Sequence, residues 1–72
     1  MPDDPTLQDH LGDIQEALQN VAGAIAHWQQ SLRFDPANDT VAGKLQAHGI
    51  DPAAIRAAVA VEKAKAGQKP TP

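Results

Sequence analysis

"AIAHWQQSLRFDP", residues 24–36, carries the chain's one Trp and one Phe and stops at a proline. Val21, Ile25, Trp28 and Leu32 recur at i, i+4, i+7 and i+11, a single stripe on an α-helix. Pro36 ends that helix, because it has no N–H and pushes Asp35 towards extended backbone. The spacing therefore predicts a helix over residues 21–34. Leu7, Leu11, Ile14 and Leu18 show the same interval upstream and predict a helix over 6–18. Asp4 or Thr6 is its expected N-cap, with Pro5 near the first turn. So few residues separate the two helices that they must fold back on each other. Asn20 suits the left-handed or capping conformation such a turn needs.

Downstream, Val41, Leu45 and His48 mark a short helix over 39–48, capped by Asn38 or Asp39. Gly49 stands where a helix-ending left-handed residue belongs, with Ile50 as its hydrophobic companion. Asp51 and Pro52 then read as N-cap and first residue of a fourth helix, which Gly67 closes. One face of this helix is narrow, made of Ile55, Ala58, Val59 and Glu62. The expected organisation is an N-terminal tail (1–4), a helical hairpin (5–38), a second helix pair (39–67) and a disordered tail (68–72). The fold class is all-α, antiparallel helical hairpins with about four helices.

Composition agrees. The 72 residues are enough for one small domain, whose core rarely supplies more than about 3–5 kcal/mol. There is no cysteine for a disulfide or a thiolate zinc site. The net charge of −3 is unevenly spread. No Lys or Arg precedes Arg33, whereas Asp3, Asp4, Asp9, Asp13 and Glu16 do. An acidic half repels phosphate, which argues against a nucleic-acid partner. No apolar run is long enough to span a membrane, and the start lacks the features of a signal peptide. The expectation is a soluble protein, cytoplasmic if the chain is complete.

Spacing across the first hairpin carries a resemblance. Leu11–Gly12 is followed by Ala24, Trp28, Ser31 and Pro36 at fixed intervals. This resembles a tetratricopeptide repeat, a helix–turn–helix unit of about 34 residues. The resemblance covers residues 5–38, about half the chain. It implies that Gly12 and Ala24 permit close backbone approach, that Trp28 fills the gap to the neighbouring hairpin, and that Pro36 sets the next helix. The chain departs from the pattern at Gln8 and Gln15, where aromatics are expected, and at Gln19, where the turn glycine is expected. These losses imply a terminal or isolated repeat. Residues 39–67 then read as a degenerate repeat or a capping helix pair.

Signals for catalysis are weak. Ser31 falls at a small-residue packing position rather than beside a recognisable base. The glycines form no phosphate loop. His10 and Asp13 could share a metal ion, but zinc needs three or four ligands, so neither metal nor cofactor is expected. Thr6, Asp9, Asp13 and Glu16 do form a polar stripe beside the leucines. In tetratricopeptide repeats the first helices line a groove that grips peptides. The resemblance thus implies a non-enzymatic interaction module whose acidic stripe meets a basic or polar segment of a protein or peptide partner. The alternatives are a homodimer through the second hairpin, or a small histidine-based metal protein.

Overall fold

A computed structural model describes residues 4–67. Among them are four α-helices and no strand: α1 (Pro5–Ala17), α2 (Val21–Phe34), α3 (Asp39–Ala47) and α4 (Pro52–Gly67). The expected tail at 68–72, and all but Asp4 of the tail at 1–4, lie outside the described residues.

Each helix start is fixed by a short polar side chain, which satisfies N–H groups that the first turn leaves without partners. Asp4, not Thr6, caps α1: its Oδ1 accepts from the Thr6 and Leu7 amides at 2.9 and 3.4 Å. Asn20 caps α2 through the Gly23 amide at 3.1 Å. Asn38, rather than Asp39, caps α3 through the Val41 amide at 3.2 Å. Asp51 accepts from the Ala53 amide at 3.0 Å, with Pro52 as the first residue of α4.

Two helix ends share one device. At the end of α3 the Gly49 and Ile50 amides donate back to Gln46 and Leu45, and Gly49 is left-handed at φ +79°. The end of α1 repeats this with Gln19 and Asn20 donating to Glu16 and Gln15. Here Gln19 takes the left-handed position, at φ +62°. Asn20 cannot take it, because capping α2 holds it at φ −95°. One residue cannot serve both helices.

The core lies between α2, α3 and α4. Ala24, Trp28, Leu32, Val41, Ala42 and Leu45 are buried together, and Ile25, Ile50 and Ile55 pack on them. Val59 of α4 is also buried. Ala58 and Glu62, expected on the same face of that helix, are exposed. Helix α2 touches all three others. Arg56 ties α4 to the loop before α3, with Nε donating to the Pro36 carbonyl at 2.6 Å and a terminal nitrogen meeting Asp39 at 3.1 Å.

Helix α1 departs from expectation. Its leucine stripe resembles a core-facing stripe, yet Leu7, Ile14 and Leu18 are 39%, 53% and 69% exposed. Leu11 is half-buried. Among the described residues of α1, Gly12 alone is buried. It does lie against α2, but the side chain above it is Trp28, one turn beyond Ala24. A Cβ at position 12 would collide with Nε1, Cδ1 and Cε2 of the Trp28 ring. The fit of a bare backbone under a large ring, not leucine burial, docks α1. Ser31 adds one tie, its buried hydroxyl donating to the Pro5 carbonyl at 2.7 Å. A second tie joins His27 Nδ1 to Gln8 Oε1 at 2.8 Å.

Two outcomes are expected from urea unfolding followed by Trp28 fluorescence. Gly12→Ala should cost about 1–3 kcal/mol through overpacking, despite alanine's helix propensity advantage of about 1 kcal/mol. An unchanged or raised midpoint would show that the Trp28 ring does not rest on residue 12. Gln19→Gly should stabilise by about 1 kcal/mol, because glycine adopts the left-handed conformation without the clash a side chain brings. Loss of stability there would contradict the left-handed assignment.

Candidate functional site

Successive residues of a helix turn by about 100°, so α1 presents three faces. Pro5, Gln8 and Gly12 look towards α2. Asp9, Asp13 and Glu16 lie on one side of that face. Leu7, Ile14 and Leu18 lie on the other.

The acidic face meets α3. Lys44 Nζ sits 2.7 Å from Asp9 Oδ1 and 2.9 Å from Asp13 Oδ1. One turn on, His48 Nε2 lies 3.0 Å from Glu16 Oε2. The other ring nitrogen of His48, Nδ1, lies 2.8 Å from the Lys44 carbonyl. A carbonyl only accepts, so Nδ1 carries a hydrogen. Nε2 can then donate to the Glu16 carboxylate only when the ring is an imidazolium. Lys44 and His48 also flank the indole: the rings of Trp28 and His48 are 5.2 Å apart, and Lys44 Nζ stands 5.8 Å from the Trp28 ring. The Trp28 Nε1 itself is buried without an acceptor, pressed against the backbone at Gly12.

Asp9 and Lys44 are 19% and 28% exposed at their side chains, so their pair is screened less than an open surface pair. Burial works against the Lys44 charge. The hydrogen bonds and negative charges of Asp9 and Asp13 outweigh it and hold the ammonium above its ordinary value of 10.5. Asp9 and Asp13, four residues apart, would repel each other if left alone. One cation between them removes that cost.

The sequence-derived site residues thus separate. Asp9, Asp13 and Glu16 come together, but around Lys44 and His48 of the same chain rather than open to a partner. Thr6, expected with them, is exposed and has its amide on Asp4. Of the motif residues, Gly12, Ala24, Trp28 and Ser31 are buried, while Leu11 and Pro36 are half-buried. Ser31 is fully buried, with its hydroxyl on the Pro5 carbonyl. Among the described residues no three His, Cys, Asp or Glu side chains converge as a metal site would need. A cleft of about 350 Å³ lies between Ala26, Gln29 and Arg33 of α2 and Ala54, Ile55 and Ala58 of α4. Its one charged lining residue, Arg33, is paired with Glu62 at 2.6 Å. No helix among the described residues is long and apolar enough to cross a membrane.

Lys44 and His48 were not singled out from sequence as partners of the acids. A signal existed. They stand four apart on α3, the interval that matches acids at 9, 13 and 16 on a helix alongside.

The leucine face has no such cover. Leu7, Ile14 and Leu18 are exposed, and so are Val21 at 47% and Phe34 at 40%. Phe34 lies two turns beyond His27 on the same edge of α2, and His27 holds Gln8, the neighbour of Leu7. Comparison with protein-family models, curated proteins and solved structures found no match to the chain.

Lys44→Gln is expected to cost about 1–2 kcal/mol, since it removes two charge-assisted contacts and leaves two carboxylates adjacent. The sign with pH is fixed. A lysine raised in the folded state stabilises fully below its unfolded value of 10.5, and that stability is lost as pH rises through the higher folded value. Unfolding curves above pH 10 should show this loss in the native chain and not in the variant. Identical alkaline profiles would place the Lys44 ammonium away from the acids.

Proposed function

We propose that the chain is a non-catalytic protein-interaction module built on a tetratricopeptide-like hairpin (5–38), with 39–67 as a degenerate repeat or cap. Six residues support the resemblance by their roles as well as their spacing. Gly12 gives Trp28 room, Ala24 and Ser31 are small at a close helix crossing, Leu11 borders that crossing, and Pro36 ends α2. Trp28 reaches past its own hairpin to His48 and Lys44 of the next.

The exposed leucine face of α1 carries the interaction reading. Adjacent large apolar side chains left open to water in a small chain mark a contact surface. In a stack of helical repeats this outer face of a first helix is where a preceding unit would pack. The acidic stripe is a weaker candidate for contact than the sequence suggests. A basic peptide would have to displace Lys44 and His48 from Asp9, Asp13 and Glu16. The proposed contact is therefore apolar, with the acids holding α1 in position behind it.

A photo-crosslinking amino acid tests this in cells that make the chain. Placed at Ile14, it should give one or a few discrete protein adducts; placed at Ala57, an exposed residue of α4, it should give none. No adduct from position 14, or the same adducts from both positions, would overturn the reading.

A further inference from the structure

We propose that the partner of the α1 leucine face is a second copy of this chain, packed antiparallel through α1 about a two-fold axis. The inference rests on the interaction reading above and names its occupant.

The pattern is self-complementary. Leu7, Leu11, Ile14 and Leu18 are spaced four, three and four residues apart, and this order reads the same from either end. Steps that alternate between four and three residues are those of the a and d positions of a coiled-coil seam. A two-fold interface requires one patch to match itself reversed. Turned end for end, a second α1 sets its Leu18 against Leu7 and its Ile14 against Leu11.

Charge along the seam itself is low. Gln8 and Gln15 border the seam on one side, and His10 and Ala17 on the other. The acids that could repel a second acidic copy are turned away and bound to Lys44 and His48. Between Leu7 and Leu18 no fixed charge stands beside the seam to select an oppositely charged partner, as flanking charges do in coiled coils, and Asp4 lies at its N-terminal end. With Phe34 at its margin, the seam buries on the order of 1,000 Å² over two copies, the lower edge of specific interfaces. The dimer is accordingly weak, with a dissociation constant of roughly 1–100 µM. Each copy carries a net charge of −3, so added salt screens repulsion and tightens it.

Sedimentation equilibrium on the purified chain, from about 1 µM to 1 mM, tests the proposal. The expected result is a monomer–dimer equilibrium that strengthens with salt. Ile14→Lys should raise the dissociation constant at least about tenfold, with its circular dichroism unchanged because Ile14 is exposed. Val61→Lys, at an exposed apolar residue of α4, should leave it unchanged. The chain has no cysteine, so introduced thiols report the orientation. Near the axis, two Ile14→Cys copies are roughly 4–5 Å apart along the helix, and mild oxidation should link them. Two Leu7→Cys copies are roughly 16 Å apart and should not link, whereas Leu7→Cys mixed with Leu18→Cys should. A monomer at every concentration, association untouched by Ile14→Lys, or linking of Leu7→Cys to itself overturns the proposal. Crosslinks from position 14 to a different protein, together with a monomeric chain, would overturn the second copy alone and leave the interaction module standing.

Discussion

A tryptophan ring pressed against a helix backbone needs a position there with no side chain. Gly12 supplies it for Trp28, and most of the structure is arranged around that contact. The ring is 1% exposed, the largest fully buried side chain among the described residues. It joins α2 to α1 through Gly12 and to α3 through His48 and Lys44. The same two α3 residues reach over to the acids of α1. Steric fit and ion pairing thus meet at one place. Neither is large alone, and the indole N–H is left without an acceptor, which costs about 1–3 kcal/mol. Removing that cost would require a polar group or a water against Gly12, where the ring already fills the space.

This way of holding α1 determines what remains for a partner. Apolar burial that would normally fix a leucine-striped helix is replaced by a glycine contact, a buried serine and a set of charged bridges. The leucines are then free to face outward. In the second hairpin the opposite has happened. Val59 is buried and Ile55 packs on the core, so helix α4 has spent its large apolar residues inside the chain. Association through the second hairpin, one expectation from sequence, would have to use residues already covered. Val61 alone remains exposed among the large apolar residues described there.

Much of the backbone was legible because local chemistry decides it. Pro36, Gly49, Asp51 and Pro52 mark helix ends by their own restrictions, and the structure places the ends there. Gly12 could be read as a close approach to α2, though not which side chain covers it. Gln19 in the left-handed position was hidden, because nothing about glutamine favours it; the demand comes from Asn20 capping the next helix. The outward leucines were hidden for a different reason. Periodicity shows that residues share a face, not which way the face points. The pairing of the acids with Lys44 and His48 is tertiary and depends on how α3 lies beside α1.

The central claim is that α1 is docked by fit and charge, with its leucine face waiting to be covered by another copy. Amide hydrogen exchange at two protein concentrations, about 5 µM and about 1 mM, tests it most directly. The account expects the Leu11–Ala17 amides to exchange faster than those of the α2 core at low concentration, and to slow markedly at high concentration. Exchange from α3 and α4 should change little. Protection of α1 equal to that of α2, and independent of concentration, would contradict it.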